Sequence, residues 1–196
     1  MDLMNVQPVT LRGSAVRLEA LTIDHVAALS FVGLEPELWR WQPISITTTD
    51  EMRAYVLMAL EEQRQGVALP FVIIDQATDQ VIGSTRYFDI TPAHRRLEIG
   101  ATWLTPTHQR TIANTEAKLL LLTHAFEAMG VIRVVFKTEV LNEKSRKAIL
   151  RVGAVEEGTF RKHLIAASGR ARDMVYFSII DTEWLTIKTR LMSLLQ

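Results

Sequence analysis

Trp103-Leu104-Thr105-Pro106-Thr107-His108-Gln109-Arg110-Thr111-Ile112-Ala113-Asn114-Thr115-Glu116-Ala117-Lys118 joins an apolar run, Leu97 to Leu104, to an apolar-rich segment running from about Thr115 to Met129. The run reads as a strand and the segment as a helix. The stretch between them is a short polar loop that closes on a helix N-terminus. Such a junction offers free backbone N–H groups and the positive end of a helix dipole to an anion. With no acidic residue in the loop, it can seat a phosphate or pyrophosphate. Many α/β chains carry such a junction as plain structure, so the loop alone does not decide between the two.

The chain has 196 residues, 48% of them hydrophobic, and 22 basic side chains balance 22 acidic ones. That length and composition fit one globular domain, residues 1–196, with a full core. Balanced charge gives no reason to expect nucleic acid or an acidic membrane as partner. Cysteine is absent, which excludes disulfides, a thiolate nucleophile and cysteine-based metal sites and is compatible with the cytoplasm. Met1 to Thr10 lacks the basic-then-apolar order of a signal peptide, and no apolar run is long enough to span a bilayer.

Working outward, Val9 to Leu11 and Val16 to Glu19 read as two short strands joined at Gly13-Ser14. A helix follows from Thr22 or Asp24 to Phe31. Gly33 to Thr47 reads as irregular, and its Trp39 and Trp41 either wall a cleft or pack the loop onto the core. Thr48-x-x-Glu51 is a capping box that opens a helix ending near Gln65 and Gly66. Ala68 to Asp75, Val81 to Asp89 and Leu97 to Leu104 form a strand meander. Strict alternation on the last strand places Leu97, Ile99, Ala101 and Trp103 on one face, with Glu98, Gly100, Thr102 and Leu104 on the other. Arg133 to Glu139 is a strand that a crossover helix sets parallel to a neighbour. Asn142 caps a helix that Gly153 stops. Glu156 to His163 and Asp173 to Ile180 form a last antiparallel pair before a terminal helix to Leu194. That helix packs on its own domain or makes a homodimer contact. The order of elements is α+β.

No nucleoside-triphosphate P-loop, dinucleotide fingerprint, H-E-x-x-H or G-x-S-x-G motif is present. The five histidines lack metal-ligand spacing, so no metal is expected. The spaced motifs Leu97-Glu98-Ile99-Gly100, Trp103-Leu104, Gln109 to Lys118, Asn142-Glu143-Lys144-Ser145-Arg146, Gly153-Ala154, Glu157 to Arg161 and Glu183-Trp184 together resemble the GNAT superfamily of acyl-CoA N-acyltransferases, in its RimJ/RimL branch. The resemblance covers about Val9 to Trp184. It implies a mixed α/β GNAT-like fold, with a central twisted, mostly antiparallel sheet, a splayed parallel pair of strands, and flanking helices.

The same resemblance implies acetyl-CoA as cosubstrate and an amine, peptide or small-molecule, as acceptor. In that family a Q/R-x-x-G-x-G/A loop cradles the pyrophosphate with backbone amides. Here the loop reads Gln109, Arg110, Thr111, Ile112, Ala113, Asn114 and Thr115, with both glycine positions substituted. Asn142, Ser145 and Arg146 match the family's positions near the pantetheine arm. Trp103 to Thr105, opposite Thr138 to Val140, matches the place where two strands part and pair with the pantetheine amides. Leu104 and Trp103 lie where a backbone N–H meets the oxyanion.

The chemistry asks for a proton acceptor. An amine must lose a proton to attack a thioester, and free α-amines and lysines hold theirs to pKa values near 8 and 10.4. Glu98, eleven residues before Gln109, matches the family's base glutamate and is expected to act directly or through a water. The family's acid tyrosine is replaced by Ile149, which leaves Ser145 as its substitute. A plain ligand-contact serine, or no acid at all, is equally consistent with a thiol leaving group. Lys144, Arg146 and Lys147 form either a solvated basic face or a contact to the nucleotide's 3′-phosphate. Arg161, His163, Trp39, Trp41, Tyr87 and Tyr176 are candidates for the acceptor cleft. The substituted glycines and missing tyrosine support a rival reading, a non-catalytic acyl-CoA sensor of the same fold.

Overall fold

The computed structural model describes residues 4–166 and 168–196. The chain begins with β1 (Leu11–Arg12), β2 (Val16–Ala20), α1 (Val26–Gly33), α2 (Pro36–Trp39) and α3 (Thr49–Arg64). β3 (Leu69–Asp75), β4 (Val81–Thr91) and β5 (Arg96–Leu104) make the meander, followed by α4 (Ala113–Thr123) and β6 (Arg133–Glu139). α5 (Glu143–Val152), β7 (Val155–Ile165), β8 (Ala171–Ile180) and α6 (Trp184–Ser193) complete it. The eight strands form one sheet in the order β1-β2-β3-β4-β5-β6-β8-β7. The β5–β6 pair is parallel and the other pairs are antiparallel. This is the mixed, mostly antiparallel architecture that the sequence implies.

Each face of the sheet is covered by helices. On one, Ala117, Leu121 and Leu122 of α4 and Trp184, Ile187 and Leu191 of α6 bury against Phe71, Ile73, Tyr87, Leu97 and Ile99. On the other, Leu29 of α1 and Met52, Tyr55 and Val56 of α3 bury against Val72, Ile74 and Trp103. α3 starts where its capping box requires: Glu51 N–H donates to Thr48 Oγ1 at 3.2 Å, and Thr48 N–H donates to Glu51 Oε2 at 3.0 Å. Two segments differ from the sequence reading. The stretch read as irregular contains α2, with Pro36 at its first position. The helix read from Thr115 begins at Ala113, whose N–H is taken by the Thr111 hydroxyl at 3.2 Å. That cap comes from outside the usual N-cap position.

β5 departs from alternation, and the departure matters for the site. Ser84 pairs with Trp103 and Arg86 with Gly100, so Thr85 alone opposes both Ala101 and Thr102. This is a β-bulge, and Ala101 takes a left-handed φ of 47°. A non-glycine residue there costs about 1–2 kcal/mol. The bulge reverses the side chains beyond it. Leu97 and Ile99 face α4, whereas Trp103 joins the opposite core with α3. Leu104, expected opposite Leu97, shares its face.

Two buried charges fix α4 to the sheet. Glu116, 4% exposed, accepts the N–H groups of Ser14, Ala15 and Val16 at 2.7–2.8 Å and the Ser14 hydroxyl at 2.7 Å. Gly13 permits the approach: a Cβ there would lie 2.4 Å from the Glu116 carboxyl carbon. Lys118, 7% exposed, donates to Thr102 Oγ1 at 2.8 Å, and Thr102 pairs with Thr85 at 2.8 Å. The lysine thus reaches the bulge from beneath. Burial lowers its pKa from 10.5 to about 7. Between those two values the unfolded chain binds the extra proton, so this group makes stability rise with pH. Below about pH 7 a charge sits in the core. Lys118→Met is therefore expected to raise the melting temperature by several degrees at pH 6, with the gain shrinking toward pH 10. Thermal unfolding of both proteins across that range checks it.

Candidate active site

β5 and β6 run together only through Arg96–Arg133, Leu97–Val134 and Glu98–Val135. Past that point both strands continue, β5 to Leu104 and β6 to Glu139, without pairing to each other. They form a V whose vertex is Glu98. The facing edges present unpaired backbone N–H and C=O groups, the arrangement that an extended amide-bearing ligand can join as an added strand. Trp103 to Thr105 and Thr138 to Val140, the stretches matched to the pantetheine contact, lie past the last paired residues, along or at the ends of the open arms.

Two helix N-termini stand at the mouth. α4 begins at Ala113 and α5 at Glu143. Gln109 links them: its Nε2 donates to the Leu104 carbonyl at 2.9 Å, and its Oε1 accepts from the Lys144 ammonium. Arg110, in the loop, has a φ of 65°. Thr111 donates to the His108 carbonyl at 2.8 Å. Arg110, Thr111 and Ile112 are exposed, Ile112 at 46%, so the isoleucine in the glycine position leaves the core intact. Asn114 is half-buried, and Ala113 and Thr115 are buried. The first-turn N–H groups of α4 have no partner within the helix and open toward the same side as the loop. Trp103 and Leu104 bury their side chains, so only their main chain can meet a ligand in the V.

On the second arm, Asn142 Oδ1 accepts the N–H of Ser145 at 3.1 Å and caps α5. Ser145 is half-buried in the first helical turn. Arg146 reaches Glu156 of β7 at 3.3 Å, and Lys147 pairs with Glu143 at 3.5 Å, both fully in solvent contact. Of the basic trio, Lys144 alone touches the loop before α4.

Glu98 is 2% exposed, so an edge or solvent-facing glutamate is excluded. Burial raises its pKa, the neighbouring Lys137 lowers it, and the balance is about 7. Asp89 acts weakly in the raising direction and Arg96 in the lowering one. Lys137 Nζ lies 2.8 Å from Glu98 Oε2, 5.1 Å from the Phe88 ring and 6.0 Å from the Tyr176 ring. Tyr176 Oη is 2.8 Å from His163 Nε2. A carboxylate poised near neutrality beside a cation, at the vertex of an open V, is equipped to accept a proton from an amine.

Among the acceptor-cleft candidates, Tyr176 lies beside Lys137, the partner of Glu98, and holds His163, Arg161 is exposed on β7, and Tyr87 belongs elsewhere. Tyr87 is fully buried under α4 and donates to the Leu121 carbonyl at 2.6 Å. The odd-numbered position on β4 faces away from Glu98, whose partner there is Phe88. Trp39 is buried and donates to the Gly33 carbonyl at 2.7 Å, while Trp41 is half-buried. Lys137 escaped the sequence reading because only the parallel register brings it beside Glu98. Arg172 escaped it too. This arginine, 3% exposed, binds Glu139 Oε2 at 2.6 Å and the Trp41 carbonyl at 2.8 Å. Among the described residues, no group of three or more histidine, aspartate or glutamate side chains is placed to hold a metal ion. No helix of the described residues is long and apolar enough to cross a membrane.

The acetyltransferase (GNAT) domain family matches residues 15–155. YdaF of Bacillus subtilis strain 168, which carries the name of a ribosomal N-acetyltransferase, is 34% identical over 102 residues. That stretch is 52% of this chain and about half, 55%, of YdaF. The ribosomal-protein-serine acetyltransferase of Escherichia coli K12 is 25% identical over 173 residues, covering 86% of this chain and 95% of that protein. The structure of Mycobacterium smegmatis RimJ in complex with CoA-disulfide superimposes with a TM-score of 0.84 at 24% identity, covering 96% of each chain.

Proposed function

We propose how acetyl transfer runs in this chain from one premise: the chain belongs to the GNAT acetyltransferase family, in its RimJ/RimL-like branch. It is an N-acetyltransferase, and enzymes of this family use acetyl-CoA. The residues present fit that cosubstrate. The V offers unpaired strand edges, the α4 N-terminus offers amide N–H groups to a diphosphate, and of the two substituted glycine positions Ile112 is exposed and Asn114 half-buried.

In this reading the whole of 1–196 acts as one domain, in the cytoplasm, and needs no metal. Gln109, Arg110, Thr111, Ile112, Ala113, Asn114 and Thr115 hold the pyrophosphate, chiefly through main-chain N–H. Trp103 and Leu104 on one arm, with Asn142, Ser145 and Arg146 at the end of the other, flank the pantetheine. Acetyl-CoA supplies an acyl group already activated as a thioester. Glu98 accepts the proton of the attacking amine, directly or through a water. A main-chain N–H near the β5 bulge meets the negative charge that grows on the carbonyl oxygen. Ser145 serves as the group that returns a proton to the thiolate. The acceptor is a primary amine, on a peptide N-terminus or a small molecule. The single observation that carries this reading is the buried Glu98 at the vertex of the V, with its pKa near neutrality.

A thiol-release assay with acetyl-CoA and a panel of amines and peptides tests it beside a thermal-shift titration with CoA. Stabilisation by CoA together with turnover of at least one amine is the expected result. Stabilisation without turnover on any acceptor would replace the enzyme by an acyl-CoA sensor.

A further inference from the structure

Beside Glu98 lies a cavity of about 440 Å³, lined by α3, β4, β5 and the segment after α2. Its position relative to the carboxylate is set by Phe88. That ring stands over Gly100, 2.8 Å from where a Cβ would be, and Glu98 Oε1 lies 3.5 Å from the same point. Phe88 and the bulge residue Ala101 both line the cavity. One end of the cavity therefore abuts the proposed base.

The walls are apolar: Trp39, Pro43, Ile44, Met58, Val67 and Phe88. Trp39 is buried and packs edge-on against Tyr55 at 5.5 Å between ring centroids. The carboxylates in the lining are already matched. Arg86, 5% exposed, pairs with Glu62 at 3.0 Å and lies 4.8 Å over the Tyr55 ring. Asp89 pairs with Arg96 at 2.8 Å. Arg86 Nε and Tyr55 Oη are buried in the lining without a hydrogen-bond partner, so a hydrogen-bond donor remains, but neither lining carboxylate is left over for a second ammonium, and burying one against these walls is unfavourable. A hydrocarbon group entering the cavity is favoured by the area it removes from water.

Resting on the acetyltransferase reading of Glu98, we infer that the acceptor is a primary monoamine carried on a large apolar group, which fills this cavity while its nitrogen meets Glu98. The same chemistry arises from a free aralkyl or branched alkyl amine and from a peptide whose first residue is large and apolar. Polyamines and serine-initiated peptides are the disfavoured acceptors.

The test measures kcat/KM with acetyl-CoA for 2-phenylethylamine, isopentylamine, ethanolamine and spermidine, and for tetrapeptides beginning with Phe, Leu or Ser. The apolar acceptor is expected to exceed its polar counterpart by about 10- to 100-fold. A preference within the free amines alone assigns a small-molecule source, and a preference within the peptides alone assigns a protein N-terminus. Met58→Arg, at a half-exposed position on α3 that folding tolerates, is expected to shrink that ratio at least 5-fold with an unchanged melting temperature. A second readout is binding. In the presence of CoA, 2-phenylethylamine should change the tryptophan fluorescence through Trp39, which lines the cavity, and ethanolamine at equal concentration should not. Turnover of ethanolamine or the Ser peptide at equal or higher kcat/KM overturns this inference and leaves the acetyltransferase reading standing. Absence of turnover on every amine removes both.

Discussion

Glu98→Gln lowers the rate constant for acetyl transfer at saturating amine by roughly 10²-fold or more, and does so in a protein that melts no lower than the parent. The first half follows from the loss of the proton acceptor at the vertex of the V. The second follows from the carboxylate's own energetics. Burial holds its folded pKa at about 7, above the ordinary 4.5. Between those values the folded chain binds the extra proton, so this group's contribution to stability falls as pH rises. A neutral amide of the same size removes that penalty. A rate loss accompanied by a lower melting temperature would point to damage rather than chemistry. Wild-type kcat should rise with pH through about 7 as Glu98 ionises, and the variant should lack that limb. Lys137 tunes the limb. Its ammonium, 2.8 Å away, favours the ionised carboxylate. Lys137→Met should move the limb upward by roughly one pH unit or more. A profile that stays in place in Lys137→Met would show that Glu98 is not the group being titrated, and a near-wild-type rate in Glu98→Gln would remove it from the mechanism.

Glu116→Ala is the most destabilising single substitution expected outside the apolar core. Three main-chain N–H groups and a hydroxyl converge on that carboxylate, and Val16 N–H among them is buried. Each buried donor left without a partner costs about 1–3 kcal/mol, so a loss of about 3 kcal/mol or more is expected in urea unfolding. Burial works to raise the Glu116 pKa, but hydrogen bonds from Ser14, Val16 and Ala15 outweigh it, and the net shift is downward. The stabilisation is therefore present above the ordinary carboxylate pKa and is lost as pH falls through the folded value. The variant's stability should depend less on pH in the acid range. Gly13→Ala attacks the same contact from the other side, since its methyl group would collide with the carboxylate. Equal urea midpoints for wild type and Glu116→Ala would show that water can satisfy these donors and that the contact is dispensable.

Much of this was legible in the sequence, for physical reasons that differ by element. Thr48 and Glu51 announce α3 because a capping box is a local contract between neighbours four residues apart or fewer. Asn142 and Gly153 bracket α5 for the same reason. Short apolar runs bounded by turn residues mark β3, β4 and β5. What escaped was whatever depends on partners distant in the chain. The bulge at Ala101 follows from the register between β4 and β5, so Trp103 and Leu104 could not be assigned to faces by alternation. Lys137 meets Glu98 only because the crossover between Leu104 and Arg133 lays β6 beside β5. Lys118 sits in a leucine-rich helix, and nothing local distinguishes a buried lysine from one that reaches solvent. The start of α4 was misplaced by two residues because Thr111 caps it from the loop rather than from the N-cap itself.

The Arg172 contacts have a mechanical meaning. The guanidinium clasps Glu139 at the tip of β6 and, through Nη2, the carbonyl of Trp41, whose segment walls the apolar cavity. Two compartments, one between the diverging strands and one beneath α3, thus hang from a common rivet. By reciprocity, whatever coupling this arginine carries from one compartment to the other is felt to the same factor in reverse.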